Sequence, residues 1–196
     1  MKKPLFLRIE QKWKTKYLNK GFKKILSKHV SKKHLDFGCG YGALPFLLAK
    51  DFPKLKVVGI DIDKDQIKIG KQRYKRKNLQ LKCTDKITGK FDSISSFFSI
   101  HHLKAKDLKE FHKHLNPGGK LIIFDFRKVP KSKFKEWYEK KKIIGEYKDS
   151  FEKSYKEHSR WSVEEFSNLM QDIGFKTLKA EKAAKYWLWY VGKKHL

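Results

Sequence analysis

The sequence predicts an α/β domain: a Rossmann-like, mostly parallel sheet with helices on both faces, closed by a C-terminal antiparallel β-hairpin. Three observations predict it. Short apolar, β-branched runs alternate with helical stretches as far as residue 126, the pattern of parallel strands joined by crossover helices. The run His34–Phe37 passes into glycines at 38, 40 and 42 and then into the apolar stretch Leu44–Ala49, a strand-to-helix turn typical of open α/β sheets. At the end of the chain, Phe175–Glu181 and Tyr186–Val191 read as two strands joined by a short turn.

Taken in order, residues 5–29 read as helical, with Leu5, Ile9, Trp13 and Tyr17 at four-residue spacing and Gly21 dividing the segment in two. Trp13, Tyr17 and Phe22 would pack against the sheet; a lid over an acceptor pocket is the functional alternative. In the glycine turn the backbone can take φ > 0 and approach a ligand without a Cβ in the way. The following helix points its unpaired N–H groups and positive dipole end at the same place. Lys56–Asp61 is a buried-type strand ending in the acidic trio Asp61, Asp63 and Asp65. Asp63 is spaced to cap the next helix, with Gln66 three residues on. Asp61, at the strand tip, can accept two hydrogen bonds from a ribose diol.

Leu79–Thr84 alternates as a strand and is followed by Asp85. Phe91–Ser99 forms the next and runs into Ile100-His101-His102-Leu103. A helix over about residues 106–115 then ends in the turn Asn116-Pro117-Gly118-Gly119, and Leu121–Phe126 is the strongest strand of the chain. Residues 127–160 are charge-rich, and Phe134, Trp137 and Tyr138 suggest one amphipathic helix. The last helix starts at a capping box, Ser162 to Glu165, buries Phe166, Leu169, Met170 and Ile173, and closes at Gly174.

Length and composition bound the rest. The chain reads as one domain over residues 1–196: an N-terminal helical extension over 1–29, a half carrying the glycine loop over 30–126, and helices with the terminal hairpin over 127–196. No apolar run approaches the ~20 residues of a membrane span, and the basic N-terminus lacks the apolar core of a signal peptide. Cys39 and Cys83, both read as lying in sheet elements, suit a reducing cytoplasm. The formal charge is +27, but arginine stands only at 8, 73, 76, 127 and 160, so 43 of the 48 basic residues are lysine. Nucleic-acid surfaces favour arginine's planar fork, whereas here lysine is spread along every segment. Weak contact with nucleic acid or an anionic membrane through that surface stays open.

The loop has two readings. Gly38-x-Gly40-x-x-Ala43, with Asp61 about 20 residues on, also fits a dinucleotide fingerprint. Its company separates them. Leu35-Asp36-Phe37-Gly38-Cys39-Gly40-Tyr41-Gly42, Val58-Gly59-Ile60-Asp61-Ile62-Asp63, Thr84-Asp85, Phe91-Asp92 leading to His101-His102-Leu103, Leu115–Gly119 and Ile173-Gly174-Phe175 follow in order. Together, over roughly residues 30–192, they resemble the class I S-adenosylmethionine-dependent methyltransferases. The resemblance implies seven strands with the last inserted antiparallel. It places Asp36 and the loop glycines Gly38 and Gly40 beside the methionine part of S-adenosyl-L-methionine. Asp61 would meet the ribose, Ile62 and Asp85 the adenine, and the backbone near Phe97 the cofactor's amino group.

His101 and His102 follow the fourth strand, where the acceptor should approach, and a neutral imidazole there can take a proton; a structural role is the alternative. No metal is expected. Ser96-Phe97-Phe98-Ser99 is not the Asn/Asp-Pro-Pro-aromatic turn of adenine-amino methyltransferases, and Cys83 lacks the context of a cytosine C5 nucleophile. His158–Ser162 looks most like the small-molecule and lipid-quinone branch, so a small-molecule acceptor is expected. An RNA or protein methyltransferase exploiting the lysine surface, and a non-catalytic cofactor-binding module, remain as alternatives.

Overall fold

A computed structural model describes residues 23–143 and 150–195. In chain order the elements are α1 (Lys23–Ser27), β1 (Lys33–Phe37), α2 (Ala43–Asp51), β2 (Lys56–Asp61), α3 (Lys64–Arg73), β3 (Leu79–Cys83) and β4 (Phe91–Phe97). Two 3₁₀ turns, Ile100–His102 and Ala105–Leu108, precede α4 (Lys109–His114) and β5 (Leu115–Phe126). Then come α5 (Lys131–Ile143), α6 (Phe151–His158), α7 (Val163–Asp172), β6 (Phe175–Lys182) and β7 (Trp187–Lys194). The expected packing of Trp13, Tyr17 and Phe22 lies outside the described residues.

The strands form one seven-stranded sheet in the order β3-β2-β1-β4-β5-β7-β6. The first five are parallel to their neighbours, and β7 runs antiparallel to both β5 and β6. The chain starts in the middle, steps outward to β3, then returns to lay β4 on the other side of β1. Beside β1 the winding reverses, and crevices of this kind form at the carboxyl ends of such strands.

Strand alternation divides the core between the two faces of the sheet. Leu35, Ile94, Leu121 and Ile123 pack with Phe166, Met170 and Tyr190. Val57, Ile122, Phe124 and Val191 pack with Leu44 and Leu48 of α2. β5 is covered on both faces, which is why Leu121–Phe124 is an unbroken apolar run.

A polar ladder is buried at the sheet centre. Ser95 Oγ donates to Asp36 Oδ1 at 2.6 Å and lies 3.0 Å from His34 Nε2, while His34 Nδ1 lies 2.8 Å from Ser93 Oγ. Because the Ser95 proton is committed to the carboxylate, His34 Nε2 must be the donor to Ser95, and Nδ1 accepts from Ser93. Complete burial pushes the His34 pKa down to about 3, so the neutral imidazole this chain of bonds requires is the stable one.

The structure departs from the sequence reading at four places. β5 begins at Leu115, which pairs with Phe91; the ladder then resumes at Lys120 opposite Ser93, so Asn116–Gly119 bulges out of the strand instead of preceding it. Asn116 Nδ2 ties this bulge to Asp92 Oδ1 at 3.0 Å, and Gly118 supplies φ +72°. The helix over 106–115 is a 3₁₀ turn followed by the six-residue α4. Residues 127–160 hold two helices, the second started by Ser150, whose Oγ accepts from Lys153 N–H. Cys39 lies in the glycine loop, after β1 has ended. The helix caps were legible: Asp63 accepts from Asp65 and Gln66 N–H, and Ser162 and Glu165 form a capping box.

Candidate functional site

A cavity of about 560 Å³ opens at the carboxyl ends of β1, β2 and β4, within the range of small-ligand sites. One wall is the glycine loop, with Phe37, Gly38 and Gly40; a second is Ile60–Asp63 with Gln66; Thr84 and Asp85 close one end, and Phe98, Ser99, His102 and Leu103 the other. In a chain with 48 lysines and arginines, this wall carries neither, and it carries three aspartates.

Asp61 is fixed by the backbone. Its Oδ2 accepts from Gly40 N–H at 2.7 Å and its Oδ1 from Asp63 N–H at 2.9 Å. Each carboxylate oxygen therefore keeps acceptor capacity for one further donor. Asp63 is occupied otherwise: hydrogen bonds from Gln66, backbone first and then side chain, hold its carboxyl below the usual range as it caps α3. Gln66 Nε2 donates to that carboxylate, and Gln66 Oε1 is buried beside the cavity without a partner among the described residues. Ile62 presents an apolar side chain that is 74 % exposed, the largest such exposure among the described residues. Gly38 has φ +70°, and a Cβ there would sit 1.9 Å from Ser99 Oγ, so only glycine lets β1 and the turn after β4 come this close.

That turn is held from below. Phe98 adopts φ +52°, a conformation a bulky residue rarely takes, so its surroundings must impose it. Its N–H donates to Phe124 O and its ring packs on Phe124, Phe126 and Trp187, while the residues after it are held by Asp125, the only charged side chain among the completely buried residues of β5. Its Oδ2 accepts from Ser99 and Ile100 N–H, both at 2.9 Å; its Oδ1 accepts from Phe126 N–H and from His101 Nδ1, both at 2.7 Å. Burial pushes this carboxyl upward, but the His101 charge and these hydrogen bonds outweigh it and leave the pKa lowered. On the next residue, His102 Nδ1 lies 2.7 Å from Glu157 Oε1 of α6. The His101 ring packs at 4.0 Å from His102 and 4.5 Å from His158, whose Nδ1 donates to Ser154 O at 2.8 Å. Burial, then the neighbouring His101 charge, pushes His158 down to about 4.

Of the residues singled out from the sequence, Gly38, Gly40, Asp61, Ile62, Asp85 and His102 stand on the cavity wall. Three do not. Asp36 points to the opposite face of β1 from Phe37 and is buried on the Ser95 ladder, because successive side chains of a strand alternate. Phe97 packs against Phe124 and Trp189, and its neighbours Phe98 and Ser99 take the wall. His101 is buried on Asp125. The sequence reading missed Gln66 as a wall residue, Asp125 and Glu157. Asp125 left a trace, a carboxylate in the most apolar run of the chain; Glu157 left none, since it reaches His102 from 55 residues away.

Among the described residues, no group of three or more His, Cys, Asp or Glu is placed to hold a metal ion, and no helix is long and apolar enough to cross a membrane.

Comparison with known proteins agrees with this architecture. Residues 35–121 match a family profile described as a methyltransferase domain. The chain is 32 % identical over 158 residues to phosphoethanolamine N-methyltransferase 1 of Arabidopsis thaliana, a match covering 76 % of this chain and 30 % of that one. It is 29 % identical over 166 residues to a ubiquinone/menaquinone biosynthesis C-methyltransferase of Geotalea uraniireducens, covering 74 % and 71 %. It thus spans about a third of the length of its plant relative. Magnesium protoporphyrin IX methyltransferase from Synechocystis, solved with S-adenosylhomocysteine, superposes with a TM-score of 0.69 at 14 % identity, over 99 % of this chain and 89 % of that one. The matched motifs, the strand order and the inserted antiparallel β7 agree: residues 35–121 match a methyltransferase domain, and the chain has the Rossmann-like fold of the solved methyltransferases it superposes on.

Proposed function

We propose that this chain is an S-adenosyl-L-methionine-dependent methyltransferase acting on a small-molecule acceptor. The observation that carries the reading is the cavity wall: three aspartates and no cation in a chain of +27, facing the space where a ligand with a positive sulfonium would bind. The residues fit that ligand. Asp61 has acceptor capacity on both oxygens for a vicinal diol, and Gln66 Oε1 is a buried acceptor still in want of a donor. Ile62 offers an apolar face to a purine, Asp85 an acceptor to its amino group, and Gly38 and Gly40 close backbone approach.

When bound, the cofactor supplies a methyl group on a good leaving group, so the protein's work is alignment and exclusion of water. The Asp125-held turn sets Phe98, Ser99 and His102 opposite the glycine loop, on the side left for an acceptor. His102 is the base available there; Asp36, Phe97 and His101 support the site from beneath. Residues 127–196 would shape the acceptor side, residues 1–29 would cover it, and the cytoplasm is the expected compartment. One named relative is a phosphoethanolamine N-methyltransferase and another a C-methyltransferase of ubiquinone and menaquinone biosynthesis, so phosphoethanolamine and quinone-type compounds are the first acceptors to try. Incubation of the purified chain with methyl-labelled S-adenosylmethionine and phosphoethanolamine or a demethylated quinone should label one of them. Absence of label in every small acceptor tried, with label appearing in added RNA or protein, would overturn the small-molecule assignment.

A further inference from the structure

We propose that Glu157 is a positioning residue that locks His102 in its Nδ1–H form and presents Nε2 as a general base, so the acceptor is one whose nucleophile carries a proton. The inference deepens the methyltransferase reading and rests on it. Three observations carry it. His102 lies on the cavity wall, the only imidazole there among the described residues. Its Nδ1 is 2.7 Å from Glu157 Oε1, and a carboxylate can only accept, so Nδ1 carries the proton. Nε2 has no protein partner among the described residues, which leaves its lone pair for an acceptor's proton.

The surroundings keep this pair in place. Asp125 clamps Ser99, Ile100 and His101, the residues leading into His102, and Arg160 Nη1 donates to Leu103 O just after it. Glu157 is held below its usual carboxylate range: partial burial pushes it up, but the hydrogen bond from and charge of His102 outweigh that. The groups facing His102 are thus His101 on its own turn, Glu157 and His158 from α6, Asp125 from β5 through His101, and Arg160 through Leu103. A base oriented by a third group is the arrangement that activates nucleophiles on unrelated folds. The step it serves is a proton transfer. The acceptor's N–H or O–H bond breaks, the electron pair stays on the heteroatom that takes the methyl group, and the proton goes to Nε2, giving an imidazolium balanced by Glu157. An acceptor with an amine or hydroxyl needs this step; a thioether or tertiary amine does not.

The test reads the tautomer directly, without an acceptor. Long-range ¹H–¹⁵N correlation spectra of the ¹⁵N-histidine-labelled full chain above neutral pH should show His102 as Nδ1–H. Glu157→Gln retains an oxygen that accepts and should keep that tautomer, whereas Glu157→Ala should shift His102 toward Nε2–H. With phosphoethanolamine as the probe acceptor, Glu157→Ala should lower kcat about 10-fold or more with the KM for cofactor unchanged, and Glu157→Gln should recover most of the loss. His102 as Nε2–H in the wild type, or an unchanged tautomer in Glu157→Ala, would overturn the proposal. Calorimetric binding of S-adenosylhomocysteine separates the two ideas: no binding by the wild type would sink the methyltransferase reading whatever the tautomer spectra show.

Discussion

Removing the Asp61 carboxylate should cripple cofactor binding while leaving the fold standing. Its two oxygens are anchored by Gly40 and Asp63 N–H, so their remaining acceptor positions point into the cavity without further ordering cost. Hydrogen bonds to a charged group contribute about 1.5–3 kcal/mol each. Even if only one bond's worth is lost net, the dissociation constant of Asp61→Ala for S-adenosylhomocysteine should rise about 10- to 150-fold. Asp61→Asn is not a mild substitute. Both oxygens accept from backbone N–H, so the amide nitrogen must confront one donor with another, and a loss of similar size is expected. Titration calorimetry measures the constants, and thermal unfolding checks that the variants are folded. A dissociation constant within threefold of wild type for folded Asp61→Ala would refute the assignment of this carboxylate to the ligand.

Further predictions follow from the same geometry. His34 and His158 have pKa values lowered to about 3 and about 4, so between those values and 6.5 the unfolded chain binds protons that the folded chain refuses. Stability is therefore full above pH 6.5 and falls as pH drops below it, by about 1.4 kcal/mol per unit for each group; a melting temperature flat from pH 7 to 4.5 would contradict this, and His34→Gln should make the fall shallower. Asp125→Ala leaves three backbone N–H groups and an imidazole without their acceptor, at a cost of about 3–5 kcal/mol, read as a large drop in melting temperature. Gly38→Ala should destabilise by about 1–3 kcal/mol through its φ and the clash with Ser99, with partial recovery in Gly38→Ala/Ser99→Gly. Ser162→Ala removes the cap of α7, remote from the cavity, and should cost about 1 kcal/mol with unchanged ligand affinity.

Local chemistry made much of this molecule legible. Period-two apolar runs, the glycine turn, the acid at the tip of β2 and the capping residues each encode their structure within a few neighbours, and they led to β1–β5, the hairpin and the Asp61 end of the cavity. What escaped depends on distant partners. Nothing near Asp36 tells that Ser95, 59 residues on, draws it under the sheet. Phe97 and Phe98 are alike in sequence, yet only Phe98, at φ +52°, stands on the cavity wall. His101 and His102 are chemically identical neighbours, and only Asp125 and Glu157, brought by β5 and α6, give one a structural post and the other a place on the wall. The second helix within 127–160 was obscured because half of its inward face is polar: Phe151 and Tyr155 share it with the buried Ser154 and His158.

Methyl transfer to a small molecule can be read without choosing an acceptor. The purified chain would be incubated with methyl-labelled S-adenosylmethionine and a fractionated extract of the source cells. Label should appear in the small-molecule or organic-soluble fraction, be lost in Asp61→Ala and be reduced in His102→Ala. Label confined to RNA or protein, or none in any fraction while S-adenosylhomocysteine still binds, would contradict it.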